Sequence, residues 1–147
     1  MRYFEDIKAG EHYDLGSRIV EKSEMLEYAQ KYNRSYLHTN ESIMKKTRYG
    51  DVIAPGMYTF SIPWAAFIDM DIFKGGEIGG TETTVQWFKG VYAGDTLTSE
   101  AIVREVINSG NSLGLVVVEI RTTNQEHKMV LRSVNKILVR KRERITE

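Results

Sequence analysis

The segment from residue 52 to residue 68, VIAPGMYTFSIPWAAFI, contains no charged side chain. Its large apolar residues recur at helical spacing, and they are Met57, Phe60, Trp64, Phe67 and Ile68. We therefore predict a nearly buried helix over residues 55–68. Pro55 suits the first turn of this helix, whereas Pro63 falls in its interior and predicts a kink. Such a helix needs other apolar surface of the same fold around it.

The second half of the chain is rich in β-branched residues and can supply that surface. Four such runs are separated by the turn-forming segments AGD, NSGNS and NQEHK, and they are residues 81–88, 96–107, 113–124 and 129–140. We predict antiparallel strands joined by hairpins. Alternation over residues 116–121 predicts one face in contact with water. With a further strand over residues 11–20, the pattern indicates the α+β class, as a curved antiparallel sheet wrapped around the central helix.

Length and composition exclude several classes of protein. The 147 residues are the size of one domain, so we expect residues 1–147 to form a single unit. Its 20 basic and 20 acidic side chains cancel, which disfavours a nucleic-acid-binding surface. Cysteine is absent, which excludes disulfides and a thiolate nucleophile. Without a membrane-spanning run or a signal-like start, we expect a soluble cytoplasmic protein, with a frayed tail over residues 140–147.

The region between residues 20 and 50 is predicted to be helical on both sides of a loop. Apolar spacing predicts a helix that Ser23 caps and that ends near Tyr32. Asn40 is a suitable cap for a second, short helix over residues 41–46. Residues 33–40, NRSYLHTN, have neither a helical nor an alternating period and predict an irregular loop.

The three histidines of the chain lie far apart. His12 falls in the first strand and His127 in a predicted turn, and no spacing among them predicts a metal site. His38 lies in the polar loop, where residue types alone leave both a structural role and a chemical role open.

Two other features have structural explanations. The segment GGEIGG, residues 75–80, is not followed by the lysine or helix start of a phosphate-binding loop, so turns and a strand edge account for it. The aromatic residues on predicted elements are expected to pack in the core, and they are Tyr3, Phe4, Trp64, Phe67, Trp87 and Phe88.

Several stretches nevertheless follow the order and spacing of one family's motifs. They are YFED with Gly10, YAQKYNRSYLHTN at 28–40, RYGDVIAPGMYT at 48–59, VYAGDTLT at 91–98 and TTNQEHKMVL at 122–131. Together they resemble the MaoC-like dehydratases, the (R)-specific enoyl-CoA hydratase group of hot-dog-fold proteins. The resemblance covers nearly the whole chain.

The resemblance implies a fold, a partner and a reaction. The central helix would lie inside the curved sheet, and two copies would pair to form sites at their interface. Members of this family hydrate a 2-enoyl thioester or dehydrate a 3-hydroxyacyl thioester. An Asp and a His hold the water, and a backbone N–H at the start of the central helix polarises the thioester carbonyl.

Position by position, the resemblance assigns the catalytic His to His38 and the carbonyl-binding glycine to Gly56. The catalytic Asp falls on Asn33, whose amide can orient water but has no carboxylate to take a proton. We considered Asp51 as a substitute acid. The implied substrate-binding residues are Arg34, Ser35, Tyr36, Asp51, Pro55, Met57, Tyr58 and Lys89. We expect no cofactor and no metal, with the CoA thioester as substrate.

Three hypotheses follow from this departure. The favoured one is an enoyl-CoA hydratase or 3-hydroxyacyl-CoA dehydratase in which His38 is the remaining base and Asn33 positions water. The alternatives are an acyl-CoA thioesterase and a non-catalytic acyl-thioester binding protein. In each case we expect an acyl-CoA ligand and a homodimer or larger homo-oligomer, with cations near the motifs for the CoA phosphates. These cations are Lys45, Lys46, Arg48 and Lys89.

Overall fold

The protein is built on one antiparallel sheet, as seen in a computed structural model that describes residues 1–143. The strands are β1 (His12–Ile19), β2 (Glu77–Trp87), β3 (Thr96–Asn108), β4 (Leu113–Thr123) and β5 (Met129–Arg140). Their order in the sheet is β1-β3-β4-β5-β2, and every neighbouring pair is antiparallel. The predicted α+β class is confirmed.

Besides a short 3₁₀ helix at Phe4–Asp6, residues 1–143 contain four α-helices. The α-helices are α1 (Lys22–Tyr32), α2 (Tyr36–Thr39), α3 (Glu41–Met44) and α4 (Gly56–Asp69). The predicted central helix is α4, which contacts β1, β3, β4 and β5. It runs through Pro63, and the predicted kink there stays a prediction. The hydrophobic core of the protein consists of two clusters. One lies around Phe67 and the inward residues of β3 and β4, and the other lies around Tyr58, Met25 and Leu97.

The helix α4 is less buried than its composition predicted. Its side towards the sheet is covered, but Met57 and Ile68 are about half exposed on the opposite side. In one chain the five-stranded sheet covers only part of the apolar surface of this helix. The remaining apolar surface is available to a partner.

One predicted hairpin is wrong. The strand β2 pairs with β5 and not with β3, which follows it in sequence. The segment AGD, residues 93–95, therefore does not form a hairpin turn. It instead pairs with the end of β1, since Gly94 N–H donates to the Val20 carbonyl and Val20 N–H donates to that of Asp95. The turns NSGNS and NQEHK do join paired strands, β3 to β4 and β4 to β5.

The outward face of β4 is also drier than predicted. Val117 and Glu119 lie on the face that alternation assigned to water, yet both are buried. Arginine side chains from β3, β4 and β5 cover Glu119, and they are Arg104, Arg121 and Arg132. The arginine side chains exclude water from this part of the sheet surface, and their guanidinium groups bond the buried carboxylate.

Two predictions about the helices before α4 need correction, and one is confirmed. The helix α1 starts at Lys22, because Met25 N–H already donates to the Glu21 carbonyl, so Ser23 lies inside it and is not its cap. The predicted irregular loop contains α2, which Ser35 caps. Asn40 caps α3 as predicted, with its side-chain oxygen accepting the Ile43 N–H at 3.1 Å.

The glycine segment has the structural role that was predicted. Gly75 has a φ of 78°, which favours glycine, and Gly79 and Gly80 lie in the edge strand β2. A side chain on Gly76 would overlap the Arg2 carbonyl oxygen at 2.0 Å. None of the helices in residues 1–143 is long and apolar enough to cross a membrane.

The start of the predicted frayed tail is held in the structure. Arg140 is the last residue of β5, and Lys141 N–H donates to the Ser112 carbonyl at 2.9 Å. The Arg142 side chain bonds Asp6 and lies over the Tyr3 ring. The frayed-tail prediction is therefore wrong for residues 140–142, and residues 144–147 lie outside the described part of the chain.

Candidate active site

A cleft of about 560 Å³ opens beside the start of α4. It contains four of the residues predicted for the site, His38, Gly56, Lys89 and Arg48. The remaining lining residues come from the loop before α4, from α4 itself, from the end of β2 and from the segment that follows it, and they are Tyr49, Ile53, Ala54, Thr59, Trp87, Phe88, Gly90, Val91 and Tyr92.

The helix α2 places His38 in the wall of the cleft, where the residue is 7% exposed. Its Nδ1 lies 2.8 Å from the carbonyl oxygen of Ile53. Because a carbonyl can only accept, Nδ1 carries the proton and donates it to this bond. The lone pair of a neutral imidazole then lies on Nε2, the nitrogen that can act as a base.

The loop that carries Ile53 is fixed on both sides. Ile53 N–H donates to the Leu37 carbonyl at 3.0 Å, and Ala54 N–H donates to the Val91 carbonyl at 2.7 Å. The first of these bonds ties the loop to α2, which holds the histidine and its acceptor together.

The start of α4 forms a second wall. Its N-cap is Pro55, which has no side-chain acceptor, and within the described chain no side chain caps this end. The N–H groups of a first helical turn lack partners inside the helix and lie at the positive end of its dipole. They can therefore donate to an oxygen that carries partial negative charge, such as a polarised carbonyl.

Trp87 completes this wall, and sequence reasoning missed it. Its indole Nε1–H donates to the Gly56 carbonyl at 2.9 Å. A Cβ on Gly56 would lie 2.8 Å from the indole Cε2, so packing against Trp87 requires glycine at position 56. Trp87 is 49% exposed and Phe88 54%, and their predicted core positions are wrong. No spacing in the sequence links the end of β2 to the start of α4.

Cationic and phenolic groups line the rest of the cleft. The Arg48 guanidinium lies 5.0 Å from the centroid of the Tyr49 ring and donates to its hydroxyl at 3.0 Å. Tyr92 donates its hydroxyl proton to the Tyr49 carbonyl at 2.9 Å, and burial raises the pKa of Tyr92. Lys89 is exposed. Within the described chain, no carboxylate lines this cleft, so an anion entering it would meet cations.

Three predicted polar residues do not line the cleft of a single chain. Asn33 and Arg34 are exposed at the end of α1, and the Asn33 side-chain oxygen accepts the Ser35 N–H at 3.4 Å. Asp51 is exposed, and its Oδ1 accepts the Val52 N–H at 2.7 Å. The structure therefore does not bring Asp51 into the cleft as a substitute acid.

The other predicted substrate-binding residues are also outside this lining. Ser35 caps α2, with Tyr36 exposed beside it, while Pro55 is buried and Met57 points outward. Tyr58 faces α1, where its hydroxyl donates to Glu24 at 2.8 Å. Burial, followed by this bond, raises the pKa of Tyr58 far above its ordinary value. In a single chain, Tyr58 therefore fastens α4 to α1.

No set of three or more histidine, aspartate and glutamate side chains in residues 1–143 is placed to hold a metal ion. Among the lining residues of the cleft, His38 is the one imidazole, a side chain that commonly serves as a general acid or base. The arrangement can therefore perform proton transfer next to an oxygen bound at the helix end.

One family model matches most of the chain. It covers residues 7–133 and is described as FAS1-like, dehydratase domain region. The chain belongs to this family. Among curated proteins, the chain is similar to the uncharacterised protein YdeM from Bacillus subtilis. The two are 26% identical over 138 residues, which cover 93% of this chain and 98% of YdeM.

Several solved structures share the fold of this chain. A monoamine oxidase regulatory protein from Archaeoglobus fulgidus is 28% identical, with a TM-score of 0.90 over 96% of this chain and 95% of the other. A MaoC-like dehydratase from Rhodospirillum rubrum is 24% identical, with a TM-score of 0.85 over 97% and 99%. The 3R-hydroxyacyl-ACP dehydratase complex HadBC of Mycobacterium tuberculosis is 17% identical, with a TM-score of 0.77 over 88% and 96%. The predicted hot-dog fold and MaoC-like resemblance are confirmed.

Proposed function

We propose that the protein is an enoyl-CoA hydratase, or 3-hydroxyacyl-CoA dehydratase in the reverse direction, that acts in the cytoplasm. The observation that carries the proposal is His38, whose Nδ1 is bonded to the Ile53 carbonyl and whose Nε2 is left for chemistry beside an uncapped helix start. Membership of the dehydratase-region family supports the reaction class.

The helix end activates the substrate. A thioester carbonyl oxygen that accepts the N–H of Gly56 is polarised, and the polarisation extends through the conjugated double bond to the β carbon. The β carbon then becomes the position that water attacks. Glycine at this position leaves the N–H free of its own side chain.

His38 then moves one proton. Its Nε2 accepts a proton from water as the water oxygen bonds to the β carbon, and the same proton passes from Nε2 to the α carbon. One water is added, with its hydroxyl on the β carbon and its hydrogen on the α carbon. Because one imidazole both accepts and returns the proton, both groups add to the same face of the double bond.

The cations of the cleft suit the CoA part of the substrate. Arg48 is held against the Tyr49 ring, and Lys89 lies on the segment after β2. Neither is paired with a carboxylate within the described chain. We assign both to the CoA phosphates, which need only a few local cations and not a basic protein.

We also propose that two copies pair through the surface that one chain leaves open. That surface includes the exposed side of α4 with Met57 and Ile68, and the edge strand β2 with Ile78. An edge strand with unpaired backbone groups invites another strand. HadBC is itself a complex.

One observation favours a second candidate function. A dehydratase that divides the work between an acid and a base needs two groups, yet within the described chain the cleft contains His38 and no carboxylate. A chain with this site can bind an acyl thioester at the helix end without transforming it.

The test uses crotonyl-CoA with two readouts. Hydration removes the absorbance of the conjugated enoyl thioester, whereas hydrolysis releases free CoA that a thiol reagent detects. The protein has no cysteine, so the reagent reports CoA alone. We expect loss of enoyl absorbance without CoA release. CoA release would indicate a thioesterase. The absence of both signals across several acyl chain lengths would favour an acyl-thioester binding protein without catalytic activity.

A further inference from the structure

We propose that Trp87 makes the cleft selective against acyl groups that are branched at the α carbon. The inference rests on the proposed function, since it assumes that the thioester carbonyl binds at Gly56. Trp87 takes no part in the proton transfer, and it forms the wall of the cleft beside Gly56.

The indole covers one side of Gly56. Three of its ring atoms, Cε2, Nε1 and Cζ2, would lie 2.8 to 3.0 Å from a Cβ at this position. We place the carbonyl carbon of a thioester bound to the Gly56 N–H on the indole side of this residue. The α carbon is one bond further, so a methyl group on it meets the indole if it points towards β2.

The ring is fixed from both ends. Trp87 pairs with Leu131 at the end of β2, and the next residue, Phe88, donates its N–H to the Val130 carbonyl at 3.0 Å. At the other end, the indole Nε1–H is bonded to the Gly56 carbonyl at 2.9 Å. A ring held in this way acts as a wall, because it loses a hydrogen bond when it swings aside.

Phe88 provides a matched comparison. It is as exposed as Trp87 and lines the same cleft, but its side chain has no polar atom to bond the start of α4. Both aromatic rings can contact a ligand, and only the indole is fastened to the residue that would bind the carbonyl.

The experiment measures dissociation constants for two saturated thioesters that differ by one methyl group on the α carbon, butyryl-CoA and 2-methylbutyryl-CoA. Neither has a conjugated double bond to hydrate, so equilibrium binding stays readable whether or not the reaction assignment holds. A methyl group that meets a packed wall changes selectivity by about 10- to 200-fold. We expect the wild type to favour butyryl-CoA within this range and Trp87→Ala to reduce the preference at least about tenfold.

Two further variants separate the ring from its hydrogen bond. Trp87→Phe keeps an aromatic wall without the Nε1–H donor, and we expect it to keep most of the preference. Phe88→Ala should weaken both thioesters alike and leave their ratio unchanged. A Trp87→Ala ratio equal to that of the wild type, or a Phe88→Ala ratio that falls as far as that of Trp87→Ala, overturns the inference.

A fluorescence measurement checks the location independently. In the Trp64→Phe variant, Trp87 is the only tryptophan left, and it should become less accessible to a soluble quencher when crotonyl-CoA binds. Selective binding without turnover would refute the hydratase and leave the inference standing. Turnover with no change at Trp87 would do the reverse, and no binding of either thioester would overturn both.

Discussion

The cleft beside α4 and the outer face of the sheet differ in how their charged side chains are paired. The cleft exposes Arg48 and Lys89 and, within the described chain, contains no carboxylate. On the sheet, the Glu119 side chain is 3% exposed and three arginines surround it, with Arg121 Nε at 2.5 Å and Arg132 Nε at 2.9 Å. The sheet satisfies its buried charge within the fold, whereas the cleft leaves its cations for a ligand.

The pKa of Glu119 shows how strongly the three arginines stabilise its charged form. Burial alone would raise the pKa of this carboxyl group, because a charge in a dry environment is costly. Hydrogen bonds from Arg104, Arg121 and Arg132 oppose burial and lower the pKa to about 2. The arginines therefore outweigh the desolvation of the carboxylate.

The contrast teaches where to look for function in this fold. Charged groups whose partners lie within the protein contribute to stability, and their loss should change the unfolding free energy. Charged and titratable groups without such partners should change binding or rate when they are replaced. Three substitutions test this division between the two regions and a fourth tests a residue outside both, and they follow from the largest expected effect to the smallest.

The largest effect is expected for His38→Asn. The asparagine amide can replace Nδ1–H as the donor to the Ile53 carbonyl, but it cannot take a proton from water. We expect the hydration rate with crotonyl-CoA to fall by about 10²–10⁴-fold, since that is what a positioned acid–base group supplies. Steady-state kinetics measure the change.

His12→Asn is the matched control. This histidine lies on the exposed edge strand β1 and bonds Glu100, away from the cleft. Its replacement should leave the rate unchanged. Equal losses in the two variants, or full activity in His38→Asn, would show that the cleft is not the site of the reaction.

The second effect concerns stability, at Glu119→Gln. A glutamine keeps the shape but places a neutral amide among three cations. A shift from the ordinary value of 4.5 to about 2 corresponds to roughly 3 kcal/mol in favour of the folded state. Urea unfolding should show a loss on the order of 2–3 kcal/mol at neutral pH. The hydration rate of the folded variant should not change.

The pH dependence of the same variant gives the sign of this contribution. The pKa of Glu119 is lower in the folded chain than in the unfolded chain, so the stabilisation is complete above about 4.5 and disappears as the pH falls towards about 2. The stability difference between wild type and variant should shrink over that interval. Glu82→Gln, an exposed partner of Lys136, should stay within about 0.5 kcal/mol at every pH.

A smaller effect is expected for Lys89→Ala. Loss of one exposed cation near bound phosphates should raise the dissociation constant for butyryl-CoA, which has no double bond to hydrate, about three- to tenfold, and added salt should reduce the difference. Titration at low and high salt measures both. Lys128→Ala, in the turn between β4 and β5, should have no effect on binding. A salt-independent loss at Lys89 would contradict the assignment to phosphates.

The local elements of this fold could be predicted from the sequence, but several long-range contacts could not. Alternation and helical spacing located β3, β4, β5 and α4, because these patterns depend on neighbouring residues. The pairing of β2 with β5 and the contact of Trp87 with Gly56 join segments that are distant in the sequence. A family resemblance pointed to His38 and Gly56, whereas nothing local distinguished Trp87 from an aromatic residue of the core.

The smallest effect is expected at Asn33, where the resemblance and the geometry lead to different expectations. A carboxylate at this position would be the missing acid–base partner, and from the sequence Asn33→Asp should raise turnover. In one chain, however, Asn33 is exposed at the end of α1, outside the lining of the cleft, with its side-chain oxygen directed to the Ser35 N–H. An aspartate would accept the same bond and remain in solvent.

We therefore expect Asn33→Asp to change the hydration rate by less than about threefold, because a proton transfer requires hydrogen-bond reach to the reacting water. Steady-state kinetics measure the change, and Asn40→Asp is the control variant, because it keeps the α3 cap and adds the same charge. A comparison of the two variants separates an effect at position 33 from the general effect of an added negative charge. A rise of about tenfold or more at position 33 alone would place this side chain at the reacting water. That result would mean that pairing with a second copy extends the cleft to the end of α1.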